Sequence, residues 1–135
     1  METLESLYGL KKHEVQLTRV QTRSGRWLET FESPGREYSV EIAFPEFACL
    51  CPKTSQPDFA TVTLFYRPKD LCVELKSLKY FLNSFRNEGH FHEAVCNLIA
   101  DDLEEVLKPF YLVVTGAFNV RGGTYPKIIV ERGDG

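Results

Sequence analysis

No run in this sequence approaches the roughly 18 consecutive apolar residues of a membrane-spanning helix. Its first residues, Met1-Glu2-Thr3-Leu4-Glu5-Ser6, are acidic and lack the basic-then-apolar order of a secretory signal. Neither sign of charge dominates: 16 Lys and Arg against 19 Asp and Glu leave a formal charge of −3, which gives no reason to expect bulk binding of nucleic acid. The glycine pattern GxGxxG is missing, so a Rossmann-type dinucleotide site is not expected. Internal repeats and low-complexity segments are absent too. Cysteine is sparse, with four residues and no secretory context, which points to the reducing cytoplasm and away from a disulfide framework.

What is present fits one α+β domain, since 135 residues suffice to bury a sizeable core. Residues 1–36 are polar and weakly periodic and read as a leader, extended or partly ordered. The faint alternation over residues 13–20 suggests an edge strand or an arm. Residues 37–135 read as the single folded domain, after the turn signal Ser33-Pro34-Gly35. Residues 37–44 alternate, with Tyr38, Val40, Ile42 and Phe44 on one face, and Pro45 is expected to interrupt that strand. A second strand spans residues 59–67.

The period then changes. Leu75, Leu78, Leu82 and Phe85 form a helical stripe over residues 74–87, and a second helix covers residues 91–108 before Pro109. Strands over 111–120 and 125–131 follow, joined by Arg121-Gly122-Gly123-Thr124, whose glycines supply the positive φ of a tight hairpin. The order is strand, strand, helix, helix, strand, strand. One such sheet covered by helices leaves two open edges, which suggests that subunits associate.

The chemistry concentrates between Cys49 and Glu93. A thiol attacks as thiolate, and a free one has a pKa of about 8.5, so a neighbour must favour the anion at Cys51; Lys53 is the nearest candidate in sequence. Asp58 follows on a loop braced by Pro52 and Pro57 and can deliver a proton. The alternatives are an ordinary packed cysteine and a turn-capping aspartate. Lys76, Lys79 and Arg86 project from the first helix away from its apolar stripe, the usual place of solvated cations. His92 and Glu93 open the second helix, where a carboxylate is favoured by the helix dipole but can also accept two parallel N–H bonds from a guanine-like ring. Cys96, one turn beyond His92, could approach Cys51; it reads, with Cys49 and Cys72, as a packed thiol.

Four motifs occur in order: Cys51-Pro-Lys-Thr-Ser-Gln-Pro-Asp58-Phe-Ala, Glu74-Leu-Lys-Ser-Leu-Lys79, Phe85-Arg-Asn and Phe91-His-Glu93. Together they resemble the short-form 7-cyano-7-deazaguanine reductases, the nitrile reductases of queuosine biosynthesis and relatives of GTP cyclohydrolase I. The resemblance covers about residues 38–132. It implies the tunnelling fold, a four-stranded antiparallel sheet with two helices on one face, oligomerising into a barrel. It implies a homo-oligomer of stacked rings with sites between subunits, a small-molecule deazaguanine nitrile substrate and NADPH, with neither nucleic acid nor membrane engaged directly. By the same resemblance Cys51 is the nucleophile forming a thioimide, Asp58 the proton donor and His92 a helper in catalysis or binding. Val73, Glu74, Leu75, His92 and Glu93 line the substrate, and Lys76, Lys79, Arg86 and Arg121 meet the cofactor phosphates. No metal is expected. The rivals are a zinc-dependent cyclohydrolase or pterin synthase, for which Cys49, Cys51 and His92 make a poor ligand set, a non-catalytic purine-binding scaffold, and a Cys-His hydrolase.

Overall fold

A computed structural model describes residues 1–9 and 15–134. After a single exposed helical turn, α1 (Leu4–Leu7), the chain forms β1 (Thr18–Gln21), β2 (Trp27–Glu32), β3 (Val40–Leu50), β4 (Pro57–Arg67), β5 (Leu71–Val73), α2 (Leu75–Asn83), α3 (His92–Leu107), β6 (Tyr111–Phe118) and β7 (Lys127–Gly133). Antiparallel pairing gives one sheet in the order β3-β4-β6-β7 and a smaller one in the order β1-β2-β5.

Strict alternation makes β4 and β6 the floor of the core. Ala60, Val62, Leu64 and Tyr66 bury one face of β4, and Leu112, Val114, Gly116 and Phe118 bury the matching face of β6. Helix α3 lies over β6 and β7, turning Val95, Cys96, Ile99, Leu103 and Leu107 inward. Its approach depends on Gly116, because a Cβ there would stand 2.5 Å from Cys96 Sγ. Lys108, at φ 45°, ends α3 in the left-handed region with its N–H on the Glu104 carbonyl. Helix α2 packs against β2 and β3 through Ser77, Leu78, Phe81 and Leu82. It stops at Asn83, short of the expected residue 87, and Leu75 lies exposed at its start rather than in the apolar stripe.

Pro45 does not end its strand. β3 continues to Leu50 with a register shift between Phe44 and Phe47, so Pro45 and Glu46 face a single residue of β4. An edge strand tolerates the lost N–H, and β3 pairs only with β4 in its sheet. The bulge also changes which alternate positions of β3 face the core, from even-numbered to odd-numbered residues. Val40, Ile42 and Phe44 turn partly inward before it, whereas Phe47 and Cys49 are fully buried after it, and Cys51 follows in that new phase.

Within residues 1–36, β1 and β2 form a hairpin joined through β2 to β5, a three-residue strand that sequence pattern did not reveal (Thr30↔Val73, Phe31↔Cys72). Leu28 is fully buried in the main core. Of the alternation read over residues 13–20, residues 13 and 14 lie outside the described part, and Thr18–Gln21 is strand. Substituting Leu28→Ala should cost about 2–5 kcal/mol in urea unfolding, the range for deleting a buried leucine side chain. A loss below about 1 kcal/mol would mean that the hairpin is not part of the cooperative core.

Candidate active site

Leu50↔Pro57 is the last pair of β3 and β4, and residues 51–56 turn between them. Cys51 donates its N–H to the Gln56 carbonyl at 2.8 Å and accepts the Ser55 N–H at 2.8 Å, with Ser55 left-handed at φ 60°. Neutral groups of this turn act on the half-buried sulfur. The Thr54 hydroxyl, then the N–H groups of Thr54 and Lys53, favour the thiolate and lower the Cys51 pKa against the opposing effects of burial and Asp58. Lys53 therefore acts through its backbone, not through the ammonium group that the sequence suggested. Cys49 behaves oppositely: burial first, then Asp58 and Cys51, push its thiol up to about 11. Burial, then Cys49 and Glu93, push Cys96 up to about 12.

Asp58 stands opposite Cys49 at the start of β4 and is only 8% exposed. Arg121 donates to its Oδ1, and His92 Nε2 lies 3.3 Å from its Oδ2. Arg121 extends a second N–H to Gln56 Oε1 at 2.6 Å from the loop between β6 and β7, where Gly122 and Gly123 take positive φ. The His92 ring stacks on Phe118 with centroids 3.7 Å apart and planes within 12°. Phe91 caps α3 without a side-chain bond, leaving His92 and the exposed Glu93 in the first turn. Cys51, Asp58, His90, His92, Glu93 and Arg121 thus share one cleft of about 250 Å³.

The remaining sequence-selected residues lie elsewhere on the chain. Val73, Glu74 and Leu75 line a separate, mainly apolar groove of about 510 Å³ with Tyr38, Ile42 and Tyr66. Glu74 is also the N-cap of α2, accepting the Ser77 and Lys76 N–H groups at 2.7 and 2.9 Å. Lys76, Lys79 and Arg86 are exposed. Lys76 borders a groove of about 320 Å³ with Arg19, Trp27 and Tyr80. Thr54 and His90 belong to no periodic pattern; Thr54 lies within the first motif, and His90 immediately precedes the last. Among the described residues, no three His, Cys, Asp or Glu side chains converge as a metal site, and no helix is long and apolar enough to cross a membrane.

A family profile described as QueF-like protein matches residues 57–135. A curated protein of Nitrosococcus oceani named NADPH-dependent 7-cyano-7-deazaguanine reductase is 54% identical over 112 residues, covering 82% of this chain and 87% of that one. The chain belongs to the QueF-like protein family. A second relative of the same name, from Nitrosomonas eutropha, is 52% identical over 82% of this QueF-like chain and 81% of its own. Among solved structures, the apo form of the archaeosine synthase QueF-Like superposes with a TM-score of 0.65 at 19% identity, covering 76% of this chain and 98% of that one. That likeness supports the α+β architecture with antiparallel sheets.

Because Thr54 is the leading donor to the sulfur, Thr54→Val should raise the Cys51 pKa. Iodoacetamide alkylation near neutral pH should slow about two- to tenfold, read by mass spectrometry at Cys51. An unchanged pH profile would remove Thr54 from the account.

Proposed function

We propose that this chain reduces the nitrile of 7-cyano-7-deazaguanine to the aminomethyl group of 7-aminomethyl-7-deazaguanine with NADPH, in queuosine biosynthesis in the cytoplasm. The names of its relatives support the reaction. The observation that carries the residue-level reading is that Cys51, with its thiolate favoured by fixed donors, opens into one cleft with the buried carboxyl of Asp58.

In this reading the Cys51 sulfur attacks the electrophilic nitrile carbon, forming a C–S bond as one C–N π pair moves to nitrogen. Asp58, protonated in its turn by His92, passes that proton to the nitrogen, giving a covalent thioimide. Arg121 pins one oxygen of Asp58, so the other faces His92, which can return the proton across 3.3 Å. Covalent capture divides one hard reduction into easier steps. NADPH, when bound, would supply one hydride, so two molecules of cofactor would serve in turn for the two hydrides that the nitrile requires. Cys51 leaves as thiolate after the first reduction, and its hydrogen-bond donors make it a good leaving group. Glu93, exposed at the cleft, is the anchor for the N–H edge of the deazaguanine ring.

The groove beside Lys76 suits a dinucleotide, with Arg19 and Lys76 for phosphate and the exposed faces of Trp27 and Tyr80 for a flat ring. Lys79 and Arg86 add positive charge on and just beyond α2. Arg121 reads more naturally as the partner of Asp58 than as a phosphate clamp, since both of its terminal nitrogens already donate to Asp58 and Gln56. The separation of Val73, Glu74 and Leu75 from Cys51 on one chain supports sites shared between subunits. Among the described residues no strand covers the outer edges of β3, which carries only the Leu50–Gly89 bridge, and β7, and this supports a homo-oligomer closing into rings, stacked in pairs.

With the nitrile alone, intact-mass analysis should find an adduct on Cys51 that is absent from Cys51→Ala; unmodified protein at saturating nitrile would overturn the thioimide. Asp58→Asn should slow nitrile-dependent NADPH oxidation by roughly 10²–10⁴-fold. Wild-type rates in that variant would remove Asp58 as the acid. Sedimentation should give a multiple of the chain mass, and a monomer with full activity would refute the shared site.

A further inference from the structure

The residue preceding the nucleophile is gripped by a distant segment. Leu50 donates its N–H to the Glu88 carbonyl at 2.8 Å and accepts the His90 N–H at 3.0 Å, so Gly89 lies beside Leu50 in a short parallel bridge. A compact ionic cluster holds that segment. Glu88 Oε1 accepts from Arg26 Nη2 and lies 2.8 Å from His90 Nε2. Burial pushes the Glu88 carboxyl up, but His90 and Arg26 outweigh it and hold it below the usual range.

Arg26 is itself firmly placed, its side chain 12% exposed. Its guanidinium carbon sits 3.7 Å from the Phe85 ring centroid. Its Nε donates to Ser84 Oγ at 2.7 Å and its Nη1 to Ser24 Oγ at 2.9 Å. Ser24 in turn donates both its N–H and its hydroxyl to Asp102, which is buried on α3. The turn between β1 and β2, the end of α2 and the segment before α3 therefore meet at one guanidinium. Arg26 is not among the residues lining the Cys51 cleft.

We propose that Arg26 is a positioning residue for the nucleophile, fixing Glu88 and His90 around Leu50 and so the start of the Cys51 turn. The proposal rests on the reading of Cys51 as the nucleophile. The groups that lower the Cys51 pKa, the Thr54 hydroxyl and the N–H groups of Thr54 and Lys53, belong to the turn closed by the Cys51–Gln56 and Ser55–Cys51 backbone bonds, and they favour a thiolate only while that turn keeps its shape. Loosening Leu50 disperses them. Lysine cannot replace this arginine, because an ammonium lacks both the fork and the flat face that Arg26 uses.

The test is the pH profile of Cys51 alkylation by iodoacetamide in Arg26→Lys and Glu88→Gln, with folding checked by circular dichroism and the labelled site by mass spectrometry. In each folded variant, alkylation near neutral pH should fall about threefold, a rise of roughly half a unit in the apparent thiol pKa. With the deazaguanine nitrile, kcat should fall while KM holds. Folded variants with the wild-type alkylation profile overturn the proposal, since a merely structural arginine would alter melting alone. If Arg26→Lys fails to fold, Glu88→Gln, changed at a half-exposed side chain, decides by the same criterion. Alkylation needs no substrate, so absence of nitrile turnover in the wild type would refute the reductase reading without touching this result.

Discussion

A carboxyl group withdrawn from water needs partners, and Asp58 finds them on two distant parts of the chain. Arg121 comes from the loop after β6 and His92 from the first turn of α3, while Asp58 itself opens β4. Leaving such a group buried and unpaired would cost several kcal/mol, so folding of the core and assembly of the cleft are the same event. The same negative charge opposes a thiolate nearby, as the effect of Asp58 on both Cys49 and Cys51 shows. The chain meets that conflict by division: charged partners serve the carboxyl, and neutral donors of a tight turn serve the sulfur.

Much of the fold was legible because it is local. Period-two burial along β4 and β6 and the apolar stripe of α3 appear in the structure where the residues place them, with ends shifted by a few positions. The misses have physical causes. β5 has only three residues, too few to show a period, and exists because β2 pairs with it. Pro45 looked like a strand end because its lost N–H would break an inner strand; on an edge strand it is absorbed as a bulge. Within the stretch read as a leader, the polar residues near Leu28 hid a hairpin whose turn is fastened by Asp102, a residue more than seventy positions away.

The cleft was legible in a different way. Cys51, Asp58, His92, Glu93 and Arg121 line one cleft. Val73, Glu74 and Leu75 do not join them on one chain, and Glu74 has a local task as a helix cap. Composition could not have distinguished the four thiols. Solvent access and hydrogen-bond donors do so, and both are set by tertiary contacts.

The bulge at Pro45 and Glu46 carries a consequence for how such chains can diverge. Because one additional residue there reverses which way every later side chain of β3 points, the spacing of this strand is under tighter constraint than most of its letters. A homologue could exchange many of these amino acids and keep its chemistry, whereas losing a single codon in this stretch would preserve every reactive group and turn the thiol toward the wrong side of the sheet.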